Sequence, residues 1–236
     1  MNHSTEHWQP TASMAVLRQR AKMLAVARSF FARLDMLEVE TPVLSVNGVT
    51  DPHLSQLSCR LKSRGNDSFY LQTSPEYYMK RLLAAGSSDI FQICRVFRDR
   101  ELGARHQPEF TMIEWYRLKK TLDQMIDETC AFITAIGMSM DFSVGTVTRH
   151  SYQAAFEAIT GLDPLPAECA ELSQCAERLL PNALSPSLIR QLGTDRNAWL
   201  DLLMSHHVIP ALATRIGRYR SLPGGAGSPG KAEPER

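Results

Sequence analysis

The chain has 236 residues, 44% hydrophobic and 22% charged, enough apolar material for one large folded domain or one domain with an appendage. A formal net charge of +1 excludes a global field that would steer the protein onto nucleic acid or an anionic membrane, so any grip on phosphate must be local. No stretch is long and apolar enough to span a bilayer, and the N-terminus lacks the basic start and apolar run of a secretory leader; the expectation is a cytoplasmic protein.

From 13 to 34 the apolar residues Met14, Leu17, Ala21, Leu24, Ala27, Phe31 and Leu34 recur every three or four positions, the spacing of one helix face, and Ser13 offers a cap. Residues 37–44 alternate like a strand stopped by Pro42, which has no N–H to give to a ladder. Residues 46–52 carry turn chemistry, followed by a strand at 57–61, a tight turn at 64–67 and a further strand at 69–72. Ser74 reads as the cap of the next helix, with Pro75 in its first position. Glu76 then falls in the first turn, where the dipole favours an anion.

The most informative stretch runs from 97 to 117. Two apolar runs, 91–97 and 110–116, alternate as strands, and a Gly-containing connector joins them as a long-looped antiparallel hairpin. It carries Arg98, Arg100, Arg105 and His106 together with Glu109 and Glu114. Cations beside carboxylates and an aromatic suit a ligand with both phosphate and amine: arginine grips phosphate bidentately, and Phe110 offers a nucleobase a stacking face. Beyond it, Leu122, Met125, Ile126, Thr129, Phe132, Ile133 and Ile136 predict a helix capped at Gly137. Shorter helices follow at 151–160, closed by Gly161, at 166–180 and at about 195–207, where His206 and His207 read as a helix end and not a metal pair. The five cysteines (Cys59, Cys94, Cys130, Cys169, Cys175) lack metal spacing and read as reduced thiols, with Cys94 in core packing. From Arg215 the composition turns to Gly, Pro and charge, and residues 222–236 are expected to stay disordered because they have too little apolar surface to offset the entropy of ordering.

Phe-Arg-Asp at 97–99, Arg-His-Gln-Pro-Glu-Phe-Thr-Met at 105–112 and Glu-Trp-Tyr at 114–116 resemble motif 2 of the class II aminoacyl-tRNA synthetases in their lysine-specific form. The long helix leading into a strand that meets proline resembles motif 1, and Ser74-Pro75-Glu76 resembles the segment that holds the substrate's amine. With Trp8-Gln9-Pro10 ahead of motif 1 and no anticodon-binding barrel before it, the chain is most similar to the short protein-modifying paralogues, which attach (R)-β-lysine to a lysine of elongation factor P. A lysyl-tRNA synthetase fragment and an inactive dimerising or regulatory paralogue are the alternatives.

The resemblance implies an α+β fold: a class II synthetase-like antiparallel β-sheet flanked by helices, incomplete at the C-terminus. A partial catalytic domain would cover 1–214, with motif 1 at about 13–44, motif 2 at about 91–117 and a helical insertion at about 151–210; residues 215–236 would be a tail outside the family pattern. It further implies ATP and Mg²⁺, lysine or (R)-β-lysine as substrate, elongation factor P in place of tRNA as acceptor, and a homodimer built on motif 1. Carried over position by position, Arg98 is the catalytic arginine on the α-phosphate. Asp99, Arg100, Arg105, His106, Gln107 and Phe110 join it around ATP, with Phe110 as the adenine platform. Ser74, Pro75, Glu76, Glu114 and Tyr116 line the lysine pocket, and Glu109 orients the connector. Two positions depart from the pattern: Gln107 stands where the family has Asn, and Arg100 where many relatives have a Glu that contacts the adenine amino group, with Glu101 next to it. The carboxylates that hold Mg²⁺ and the Gly-rich motif 3 have no counterpart here, so no metal ligand is assigned, and a frameshift or early stop is expected.

Overall fold

The computed structural model describes residues 10–65, 67–100, 103 and 106–215, and the chain divides after Val144 into two units. Trp8, Gln9, Glu101 and Arg105 lie outside the described residues, as does the predicted tail apart from Arg215.

In the first unit, α1 (Met14–Arg33) starts where the Ser13 hydroxyl accepts from the Val16 N–H at 3.3 Å, the cap its sequence position predicts. Past α1 the structure departs from the single strand expected over 37–44. The segment forms two short strands instead, β1 (Leu37–Glu38) and β2 (Leu44–Ser45), in different sheets. The Val39 N–H still bonds Phe91 O at 2.9 Å, whereas Val43 O accepts from the Gln72 N–H at 2.9 Å. Pro42 cannot continue a ladder, and the chain crosses at that break from one sheet edge to the other.

β2 joins β4 (Asp67–Leu71) and β3 (Ser58–Leu61) in an antiparallel sheet of order β2-β4-β3. The other sheet has the order β1-β5-β6. Here β5 (Ile90–Phe97) and β6 (Glu109–Tyr116) form the expected antiparallel hairpin, each beginning one residue earlier than the alternation predicts, and β1 adds to β5 in parallel.

Alternation gives the hairpin two faces. Odd-numbered Phe91, Ile93, Ile113 and Trp115 pack with Phe30 and Phe31 of α1 and Phe132 of α3 (Leu122–Ser139) in an aromatic core. The Phe31 ring centroid lies 4.6 Å from Phe91, 5.2 Å from Phe132 and 5.3 Å from Trp115. The even-numbered face is left for other work. α3 opens with reciprocal bonds between Thr121 and Gln124 and runs past Gly137, the residue expected to cap it. Gly137 is buried within the helix, and a Cβ there would come 2.9 Å from Phe142 O, where the chain folds back. Close approach of backbone, not a left-handed cap, is what requires glycine.

From residue 145 the described chain is helical: α4 (Tyr152–Thr160), α5 (Cys169–Leu179), α6 (Pro186–Leu192), α7 (Arg196–Leu203) and α8 (Ile209–Arg215). Phe156, Leu172, Trp199, Leu203 and Val208 fill its core. Ser151 and Gly161 bound α4 as the sequence predicts, Gly161 with a left-handed φ of 75°. α6 and α8 have no counterpart among the expected elements. His206 and His207 stand in a wide turn, Met204–Val208, that carries α7 into α8, and not at a helix end. Among the described residues no helix is long and apolar enough to cross a membrane.

Candidate active site

The even-numbered face of the hairpin collects the chemistry. Gln92 stands opposite Glu114, Cys94 opposite Met112 and Val96 opposite Phe110, and cross-strand partners on one face lie within contact distance. One residue past β5, the Arg98 N–H bonds Pro108 O at 2.9 Å, which extends the pairing and its alternation by a step. Arg98 therefore shares a face with Phe110: its guanidinium carbon lies 5.3 Å from the ring centroid, and its Nε donates to Thr73 O at 3.2 Å. The negative face of the ring attracts the planar cation.

At the other end of this face the Tyr116 hydroxyl donates to Glu114 Oε1 at 2.8 Å. Burial pushes the Glu114 carboxyl above its usual range, and the Tyr116 bond opposes that; the charge of Glu76 raises it further, while Lys80 and Arg98 pull it down. Burial and the neighbouring Glu114 also push the Tyr116 phenol up, so it stays a donor. Cys94 lies on this face and not in the aromatic core. Its thiol is pushed up to about 11, by burial first and then by Glu114, and is neutral at ordinary pH.

The third part of the site comes from α2 (Glu76–Ala84). Its cap position is the buried Pro75, one residue later than the Ser74 expected, and the Ser74 hydroxyl accepts from the Glu76 N–H at 3.4 Å. Glu76 sits in the first turn, where unpaired N–H groups favour its charge, and its carboxylate is bonded to the Lys80 ammonium one turn on.

The remaining predicted residues stand in or near the connector. The Asp99 N–H bonds Ser55 O at 2.9 Å, and Asp99 Oδ1 accepts from the Arg100 N–H at 2.8 Å. Arg100 has a left-handed φ of 61°. Gly103 and His106 bond each other's backbone, and His106 and Gln107 are exposed. Glu109 falls on the odd-numbered face and meets Arg95, Oε1 to Nε 3.6 Å.

A cavity of about 590 Å³ opens beside Glu76, a size typical of small-molecule sites. Its walls are the loop from Ser45 to Gln56, the segment 72–74 and the α2 residues Glu76, Tyr77, Tyr78 and Arg81. Of the predicted site residues, Ser74 and Glu76 line it. The sequence marks the loop through its turn residues but gives Gln56, Gln72, Tyr77 and Arg81 no role. Gln56 anchors the loop, accepting from the Val49 N–H at 2.7 Å and donating to Leu71 O at 3.1 Å; the Tyr77 and Thr50 hydroxyls meet at 2.8 Å. The available signal was a polar Gln at the edge of an alternating run and a tyrosine pair directly after Ser-Pro-Glu.

Arg98 beside Phe110 fits the phosphate and base of a nucleotide. Among the described residues no group of three or more His, Cys, Asp or Glu side chains is placed to hold a metal ion.

A family model described as tRNA synthetases class II (D, K and N) matches residues 4–185. The elongation factor P (R)-β-lysine ligase of Haemophilus influenzae (strain PittGG) is 43% identical over 219 residues, 92% of this chain and 63% of that protein. The protein of the same name from Pasteurella multocida (strain Pm70) is 49% identical over 170 residues, 71% of this chain and 51% of that protein. The chain thus spans between 51% and 63% of the length of these relatives. A crystal structure of asparaginyl-tRNA synthetase from Pyrococcus horikoshii, complexed with asparaginyl-adenylate, matches 53% of this chain and 28% of that one at 17% identity, with a TM-score of 0.48.

Proposed function

We propose that this chain, which belongs to the class II tRNA synthetases of the D, K and N group, activates lysine or (R)-β-lysine with ATP and passes it to a lysine side chain of elongation factor P. The observation that carries this reading is the even-numbered face of the hairpin. It sets a phosphate-seeking cation on an aromatic ring at one end and a carboxylate bonded to a phenol at the other, with Glu76 within electrostatic reach of Glu114. The names of the relatives supply the acceptor and the amino acid.

In the first step a carboxylate oxygen of the amino acid attacks the α-phosphorus of ATP and pyrophosphate leaves. Negative charge builds on the α-phosphate oxygens, where Arg98 meets it; Phe110 holds the adenine by stacking. Glu76 binds one substrate amine and the Glu114–Tyr116 pair the other, with Ser74 and Pro75 shaping the turn that presents Glu76. In the second step the amine of the acceptor lysine attacks the acyl carbon, AMP leaves and an amide forms. Asp99, Arg100, Arg105, His106 and Gln107 belong to the same reading as connector residues around the nucleotide. Class II ligases of this kind use ATP with Mg²⁺, which neutralises phosphate charge when bound; no step here is assigned to it. The same reading puts the reaction in the cytoplasm, with elongation factor P taking the role that tRNA has in a synthetase.

The test combines ATP–pyrophosphate exchange with the intact mass of the acceptor. Exchange that depends on lysine or (R)-β-lysine, and a gain of one acyl unit on elongation factor P, are the expected results. A folded chain that gives neither refutes the proposal.

A homodimer belongs to the same reading. Met14, Leu17 and Leu37 of the motif 1 segment are 63%, 41% and 54% exposed, apolar surface of the kind that a second copy covers. Sedimentation velocity should give a dimer for the wild type and a monomer for the Leu17→Glu, Leu37→Glu variant. A monomeric wild type would remove this part of the proposal.

A further inference from the structure

The carboxylate read above as the partner of the substrate amine already holds an ammonium, and the chain supplies it. Lys80 lies one helical turn after Glu76 on α2, and its Nζ is bonded to Glu76 Oε1. We propose that Lys80 is a built-in competitor for the substrate amine, pairing with Glu76 and giving way to the amino acid. This rests on the reading above that Glu76 binds a substrate amine.

Three observations carry the inference. The two side chains are 57% and 43% exposed, so no packing locks the pair, and the four-carbon stem of lysine lets its ammonium swing aside. Lys80 also feels Glu114, on β6: its ammonium is held above its ordinary range by Glu76 first and by Glu114 as well, and Glu114 is pulled down by Lys80 in return. The same cation thus serves the two carboxylates assigned to the amino acid. Finally, Glu76 lines the cavity, so an ammonium bound there would share the carboxylate that Lys80 now pairs with.

The sign of the effect separates this role from an ordinary helix-surface ion pair. Removing the Lys80 charge frees the Glu76 oxygen and also removes positive potential felt by Glu76 and Glu114. Both changes favour a cationic ligand. If Lys80 instead oriented Glu76 for the substrate, its removal would weaken binding. A resident competitor lowers affinity and speeds release, which suits an enzyme that must turn over.

The experiment is a calorimetric titration of lysine and of (R)-β-lysine into the wild-type chain, Lys80→Met, Lys80→Arg, Glu76→Gln and the Glu76→Gln, Lys80→Met double variant. Lys80→Met should bind the amino acid about two- to five-fold more tightly, the scale of an exposed ion pair. Affinity for ATP should not change, and the thermal midpoint should stay within about 2 °C. Lys80→Arg should behave as wild type. In the Glu76→Gln background the Lys80→Met effect should shrink to the part that runs through Glu114, since the cycle then lacks the group Lys80 pairs with. Equal or weaker binding by Lys80→Met, or an effect undiminished without Glu76, overturns the competitor role and leaves the proposed function standing. Failure of the folded wild type to bind either amino acid removes both.

Discussion

Arg98→Ala should lower lysine-dependent ATP–pyrophosphate exchange by roughly 10²- to 10³-fold, the usual cost of deleting one preorganised group aimed at developing charge. The backbone of Arg98 is fixed by its bond to Pro108 O, and its guanidinium is held between Thr73 O and the Phe110 ring. The cation is therefore in place before the phosphate arrives. Arg98→Lys should recover only part of the loss, because an ammonium on a flexible stem has neither the planar stack nor the bidentate fork. Glu76→Ala should behave differently: the KM for the amino acid rises by about 10- to 100-fold, the worth of a charge-assisted hydrogen bond, while kcat changes little. That split between the two variants is the informative result. Exchange that survives Arg98→Ala near the wild-type level would remove the hairpin from the chemistry.

The features that placed these residues were legible because they are periodic. In a strand, every second residue shares a face, so Phe110, Glu114 and Tyr116 fall together once β6 is seen as a strand, and Arg98 follows from β5 by the same count. The same parity set Phe91, Ile93, Ile113 and Trp115 on the other face as core. It also contains what the composition of β5 concealed: Cys94 is an even-numbered residue and belongs with Gln92 and Val96 on the site face. Short elements were lost because two residues carry no period. β1 and β2 read as one strand, and only the tertiary pairing of Leu37 with Ile90 and of Leu44 with Leu71 separates them. The pattern predicts a stop at Gly137, whereas its reason is the close approach of Phe142 O, which no local pattern encodes. α6 carries a legible start signal, with Ser185 as its cap and Pro186 opening it, the arrangement the sequence predicts for Ser74 and Pro75. Gln56 and Tyr77 were invisible for a further reason, since what they do depends on a loop folding back over α2.

Phe31→Ala should destabilise the first unit by about 3–5 kcal/mol, the range for deleting a buried aromatic ring. Phe31 is fully buried, and its ring contacts Phe30, Phe91, Trp115 and Phe132. Truncation therefore removes apolar burial and the aromatic pairs together, each pair worth about 0.5–1.5 kcal/mol beyond its area. Against a typical stability of about 5–15 kcal/mol, this is a large fraction, and a thermal midpoint about 10 °C lower follows. Leu122→Ala is the control: Leu122 is 78% exposed, and its loss should stay within about 0.5 kcal/mol. Because the odd-numbered face of the hairpin rests on Phe31, and Arg98 and Phe110 owe their placement to the even-numbered face of the same strands, exchange activity in Phe31→Ala should fall at temperatures where Leu122→Ala remains fully active. Urea unfolding followed by tryptophan fluorescence, with Trp115 in this core, reads the difference. If Phe31→Ala cost no more than Leu122→Ala, the aromatic cluster would not be what holds the hairpin in register, and the even-numbered face would need another support.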